Sequence, residues 1–156
     1  MLDVVFAELA ARGMPTNLVC DHVCYRVATQ QRYEELRTAL QAEGVLESDT
    51  IIAGRPISTF RLFTPYTYKG RSIEALELPA PKPGTAYPEG WEHAEFVVPG
   101  TLQNFMSQHP AQAFDVRALN KPLNPEIGLR LTPAYQAKFH TKTLLDVIKL
   151  EKALGI

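Results

Sequence analysis

The chain has little of most features that announce a function. Among 156 residues there are two cysteines and one tryptophan, and 16 Lys+Arg nearly balance 17 Asp+Glu, for a formal net charge of -1. Such a balance provides no field to draw the protein to nucleic acid or to an anionic membrane, and the basic residues form no stripe interleaved with aromatics. No apolar run approaches the ~20 residues a helix needs to cross a bilayer. The N-terminal stretch MLDVVFAELAARG carries Asp3 and Glu8 where a secretion signal has basic residues and then an unbroken apolar segment. The phosphate cradles G-x-x-x-x-G-K-[ST] and G-x-G-x-x-G are missing, as is the nucleophile elbow G-x-S-x-G. These absences predict a soluble, cytoplasmic protein, monomeric or homodimeric, with neither a membrane nor a nucleic acid as partner.

Both cysteines stand in NLVCDHVCYRV, a strand by its β-branched and aromatic content. Four steps along a strand separate Cα atoms by ~13 Å at ~3.3 Å per residue, whereas a disulfide needs them within ~7 Å. No second Cys or His pair supplies zinc-finger spacing. Cys20 and Cys24 are therefore expected to be free, buried and apolar in character, as a reducing compartment allows.

With 46% hydrophobic residues, the chain is long enough for one domain with a substantial core. Leu2, Val5, Phe6 and Leu9 mark a helix over residues 2–12 that Gly13 stops. A strand follows at 18–27. Thr29 then caps a helix, QQRYEELRTALQAEG, with Tyr33, Leu36 and Leu40 at helical spacing. Extended segments come next at 45–53, in PISTFRLFT and in RSIEALELP. Residues 80–90, APKPGTAYPEG, are too rich in proline and glycine for a helix or a central strand and read as a connector.

Beyond the connector the series begins again. WEHAEFVV reads as a strand, Leu102, Phe105 and Met106 as a short helix, and FDVRAL, EIGLRLT and AYQAKFH as strands. Leu144, Val147, Ile148 and Leu154 mark a final helix over 143–154. Asp21-His22 opens the first half and Glu92-His93 the second, 71 positions later (93 - 22), each followed by a threonine at a helix start, Thr29 or Thr101. The pattern predicts an α+β domain of paired βαβββ modules forming a curved mixed sheet, with N- and C-terminal helices. Module one spans about 15–79, the linker about 80–90, module two about 91–140 and the last helix about 143–154.

Neighbours in a strand face opposite sides of the sheet. Alternation sets His93 and Glu95 opposite Ala94, Phe96 and Val98, and places His22 with Cys20, Cys24 and Arg26. His140 is in phase with Lys138, and the phase of Glu77 is ambiguous. Two modules side by side would bring His22, Glu77, His93 and His140 to one polar hollow, leaving His109 in a loop. Three imidazoles and a carboxylate suit a divalent transition metal (Zn, Fe, Ni, Co or Mn) and argue against Ca or Mg.

The segments DHVCYRV, AGRPISTFRL, ALELPAPKPGTAYPEGWEHAEFVV and KFH resemble the YecM family of bacterial proteins. That family is a branch of the vicinal oxygen chelate superfamily, which includes glyoxalase I, bleomycin-resistance proteins and extradiol dioxygenases. The resemblance runs from about residue 15 to residue 150. It implies metal ligands on the first and last strands of each module: His22 and Glu77, then His93, with His140 at the last place. The superfamily more often holds a carboxylate there, one that in the glyoxalase-like scheme leaves the metal and serves as base.

Together these readings predict an enzyme in which a metal grips vicinal oxygens of a small substrate, as an isomerase, a lyase or a dioxygenase. Glu77, Glu95 or a released ligand would handle the proton, and Arg55, Arg61 and Arg26 are the candidate substrate-binding cations. The alternative is a bleomycin-resistance-type protein that sequesters a small molecule without metal or turnover.

Overall fold

The two strands that carry the acid–His pairs lie side by side near the middle of a single seven-stranded sheet. The computed structural model describes all 156 residues. The elements run α1 (Leu2–Ala11), β1 (Val19–Arg26), α2 (Gln30–Leu40), β2 (Gly44–Ile52), β3 (Arg55–Tyr68), β4 (Arg71–Pro79), β5 (Gly90–Val97), α3 (Leu102–Gln108), β6 (Glu126–Arg130), β7 (Gln136–His140) and α4 (Leu144–Leu154). The sheet order is β2-β3-β4-β1-β5-β7-β6. Within each half the first and last strands pair in parallel, β1 with β4 and β5 with β7. The antiparallel pairing of β1 with β5 joins the halves.

Local chemistry accounts for the helix starts. The hydroxyls of Thr29, Thr101 and Thr143 accept the backbone N–H groups of Arg32, Asn104 and Asp146, satisfying donors that a helix N-terminus leaves free. One face of the sheet supplies Leu76, Phe96, Leu129 and Phe139 to the main core, where Val5 and Leu9 of α1 and Leu102 and Phe105 of α3 cover them. Tyr33 of α2 packs with Val27 and Leu78, its hydroxyl 2.6 Å from that of Ser58.

One of the eight expected strands, FDVRAL, is not formed. Asp115 makes one isolated antiparallel bridge to Gly128, and residues 117–120 turn. The Asp115 carboxylate accepts the backbone N–H of Arg117, the local bond by which aspartate initiates a turn, and Leu119 N–H closes onto Val116 O. The second half is therefore one strand short.

α4 occupies the face that the other helices leave free. Its first N–H, from Leu144, reaches the Asp21 carboxylate on β1, and Lys152 near its other end bonds Glu47 on β2 at 3.0 Å. Val147 and Ile148 are its buried residues. No helix is long and apolar enough to cross a membrane.

Phe139 is fully buried, lies 5.8 Å from Phe96 and 4.9 Å from Phe105 between ring centroids, and immediately precedes His140. Phe139→Ala is expected to cost about 3–5 kcal/mol, read as a lowered urea midpoint; a change below about 1 kcal/mol would contradict this packing.

Candidate metal centre

Cross-strand register assembles two rows of side chains on the face beneath α4. One runs Arg61, Ala75, His22, Glu95, Lys138 across β3, β4, β1, β5 and β7. The next runs Thr59, Glu77, Cys24, His93, Gln136 across the same strands. Residues remote in sequence meet because partners in a register share a face. The register also settles the phase of Glu77, which lies on the histidine side.

Two irregularities add a carboxylate to each histidine. The β1–β5 pairing shifts register between Cys20 and His22, leaving Asp21 as an extra residue on β1, and again between Cys24 and Tyr25, leaving Glu92 extra on β5. A bulge re-aims the side chain it carries. Asp21 Oδ2 sits 3.0 Å from His22 Nδ1, and Glu92 Oε2 bonds His93 Nδ1. Gln136 Nε2 donates to the other Glu92 oxygen at 2.5 Å. The first bulge corrects the expected facing of Cys20: it joins the apolar core instead of sharing the face of His22. Cys24 stays on the polar side, within reach of Glu92 and His93.

With both Nδ1 atoms engaged, the Nε2 atoms of His22 and His93 point inward. Both are buried without a hydrogen-bond partner. Glu95 Oε2 lies 2.9 Å from His22 Nε2, off the alignment a hydrogen bond requires, and 3.8 Å from His93 Nε2. Glu77 Oε1 lies 3.9 Å from His93 Nε2. His22, Glu77 and His93 each offer a donor atom within 4.8 Å of the others. His140 falls in a different group, with Asp21 and His22: its Nε2 is 2.8 Å from Asp21 Oδ1, and its Nδ1 is 3.4 Å from Glu95 Oε1.

The three candidate substrate cations are placed differently. Arg61 bonds Glu47 at 2.8 Å near the β2 edge, whereas Arg26 and Arg55 both approach Tyr87 of the 80–90 connector. His109 packs against Phe105 at the end of α3, with ring centroids 4.9 Å apart and planes tilted by 59°, away from the other three histidines. Asp21, Glu92 and Gln136 are residues bonded into this cluster that a reading by strand alternation missed; the Asp-His and Glu-His repeat was the only trace of the two acids in the sequence, and Gln136 had none.

Burial and pairing set the charges. Burial alone would raise the carboxyls of Asp21 and Glu92, but the neighbouring imidazoles hold both down to about 2. Burial likewise opposes the ionised Glu95, yet His22, His140 and Lys138 hold it well below the usual carboxylate range. Burial opposes the charged form of His22 too, and Asp21 and Glu95 override it, keeping that imidazole protonated well above its ordinary range. Lys138 is raised despite burial by Glu126, Glu95 and Glu77.

These directions predict a two-sided stability profile for chelator-treated protein. Depressed carboxyls contribute stability that is lost as pH falls from about 4 toward 2, and the raised His22 contributes stability that is lost as pH rises beyond about 6.5 toward its folded value. Thermal melts across this range should peak between the limbs, and His22→Gln should flatten the alkaline one. An alkaline limb that is identical in this variant would contradict the assignment.

Comparison with known proteins places the chain and its fold. The chain is 38% identical over 88 residues to protein YecM of Escherichia coli strain K12, an alignment covering 54% of this chain and 45% of that protein. The chain thus spans less than half the length of that relative. A solved structural-genomics protein, EC4020, superposes with a TM-score of 0.77 at 28% identity, covering 93% of this chain and 84% of that one. A variant of Streptomyces coelicolor methylmalonyl-CoA epimerase, solved with 2-nitronate-propionyl-CoA, superposes with a TM-score of 0.55 at 13% identity over 81% of this chain and 99% of its own. The last likeness shows the vicinal oxygen chelate fold. The sequence model of the YecM family matches residues 7–151, and the chain belongs to that family.

Proposed function

We propose that the protein binds one divalent transition metal through His22, His93 and Glu77, and acts there on a small, oxygen-bearing molecule. The observation that carries the proposal is the pair of buried Nε2 atoms that make no aligned hydrogen bond, each on an imidazole whose Nδ1 is held by the preceding carboxylate. A metal-ligating histidine characteristically donates its second ring N–H to a carboxylate, which fixes the ring and raises its basicity. An orphaned nitrogen inside a protein is costly unless it meets a proton donor or a cation. Imidazole and carboxylate donors suit Zn, Fe, Ni, Co or Mn. Glu95, against His22 and near His93, is a further oxygen donor to the same space.

A bound metal would supply Lewis acidity toward vicinal substrate oxygens as negative charge develops on them. The chain's own residues cover the proton. Glu95 lies between the His22 and His140 imidazoles, and we assign to it the proton taken from a substrate carbon and returned. Lys138 adds positive charge beside Glu95 and Glu77. α4 is tied to Asp21 through the Leu144 N–H and buries its own Val147 and Ile148. Isomerase, lyase and dioxygenase chemistries share this frame, because fold does not choose the reaction. One feature favours the alternative of metal-free binding: His22 is ion-paired on both sides, with Asp21 at 3.0 Å and Glu95 at 2.9 Å, without a metal.

Elemental analysis of protein purified without a histidine tag or added metal decides between the two. About one equivalent of a transition metal is expected, lost in His93→Ala and retained in His109→Ala. Metal-free protein that takes up no zinc, cobalt or manganese on dialysis would overturn the proposal.

A further inference from the structure

Arg26 and Arg55 stand apart from the other arginines. Arg12, Arg32, Arg37, Arg61 and Arg117 each pair with a carboxylate. Arg26, Arg55, Arg71 and Arg130 pair with none, and among these four only Arg26 and Arg55 have an Nε buried without a partner. Tyr87 draws them together: the Arg26 guanidinium lies 4.4 Å from its ring centroid, and Arg55 Nη1 approaches its hydroxyl at 3.4 Å. Arg55 Nη1 also donates to Ala80 O at 2.8 Å, which anchors that arginine on the connector and leaves its Nε edge uncommitted. Both side chains are half-buried and so lack the full hydration of a surface cation.

The pair lies on the same face as the metal centre. Arg26 follows Cys24 by two residues on β1, so it projects to the same side, about 7 Å further along at ~3.3 Å per residue. Arg55 precedes Thr59 by an even number of residues on β3 and falls in phase with it. Glu77, between the two places, is the most accessible of the candidate ligands, with a side chain 19% exposed against 4% for His93 and 3% for Glu95. The centre is therefore approached from the arginine side.

We infer that Arg26 and Arg55 form a carboxylate subsite, and that the small molecule bound in this face is a 2-oxo or 2-hydroxy dicarboxylate whose far carboxylate they hold. The uncommitted Nε edge of a guanidinium offers parallel N–H groups matched to a planar carboxylate. A chain of five carbons, with bonds of ~1.5 Å, is on the scale of the two-residue step from Cys24 to Arg26. This inference rests on the metal-centre reading for the position of the oxygens at the other end, and it deepens that reading by naming the ligand class.

The test compares 2-oxoglutarate with 2-oxopentanoate, which has the same chain but no second carboxylate, by calorimetry on metal-loaded protein. The dicarboxylate should bind about tenfold tighter or more, the scale of one charge-assisted contact. Arg26→Gln and Arg55→Gln should erase that preference at unchanged melting temperature, and Arg26→Lys should restore part of it. Equal affinities, a preference that survives both glutamine variants, or no binding of either oxoacid would overturn the inference. Tighter binding of inorganic phosphate than of either oxoacid, lost in Arg26→Gln, would overturn the carboxylate assignment. Repeating the titrations after chelation separates this inference from the reading beneath it. A preference that persists without metal and vanishes in the arginine variants supports the subsite and counts against the metal; the reverse pattern supports the metal and overturns the subsite.

Discussion

The structure turns on two carboxylate–imidazole bonds facing each other across the seam between its halves. Asp21 holds His22 and Glu92 holds His93, each through Nδ1 and each from a bulged position in the β1–β5 pairing. A regular ladder would send each acid to the opposite face, into the core beside Phe96 and Val23. The bulges keep these charges out of that core and leave two Nε2 atoms aimed at one point. Fixed carboxylate charge at the site, from Asp21, Glu92 and Glu95, faces a single ammonium, Lys138, so the balance draws on the proton held by His22. A divalent cation at the Nε2 atoms would replace such protons, which couples metal affinity to pH.

The same Asp21 carboxylate reaches further. Besides His22 it accepts a hydrogen bond from His140 at 2.8 Å, and from the backbone N–H of Leu144 at 2.7 Å. One side chain thus ties together the first strand, the last strand and the start of α4. Negative charge at a helix N-terminus is favourable in its own right. Ions this deeply buried are stable only as a set: removing one partner leaves another charge unpaired, at a cost of about 3–5 kcal/mol. His140, the residue that the resemblance puts in the position of a fourth ligand, here links Asp21 to Glu95.

Much of this was legible in the sequence, and the failures have physical causes. Helix starts could be read because Thr29 and Thr101 act locally. The two-module architecture followed from the spacing of the acid–His pairs, and the convergence of His22 and His93 from strand alternation. The phase of Glu77 could not be read, since Ile73 and Ala75 are as apolar as Leu76 and Leu78; only its register with Cys24 and Thr59 decides it. Cys20 was misassigned because alternation assumes an unbroken ladder, and the bulge at Asp21 is a property of two strands together. FDVRAL has the composition of a strand, but the turn bond from Asp115 to Arg117 outweighs it. Nothing in the helical periodicity of α4 tells that it covers the polar face; its ties to Asp21 and Glu47 do.

The central claim is that His22 and His93 present Nε2 to one metal ion. Crystals grown with zinc and measured on both sides of its absorption edge test it most directly. The account predicts one anomalous peak about 2.0–2.1 Å from both Nε2 atoms, with a Glu77 or Glu95 oxygen at about 2.0–2.2 Å. No peak, or a peak bonded instead to Cys24 or to an Nδ1 atom, would contradict it.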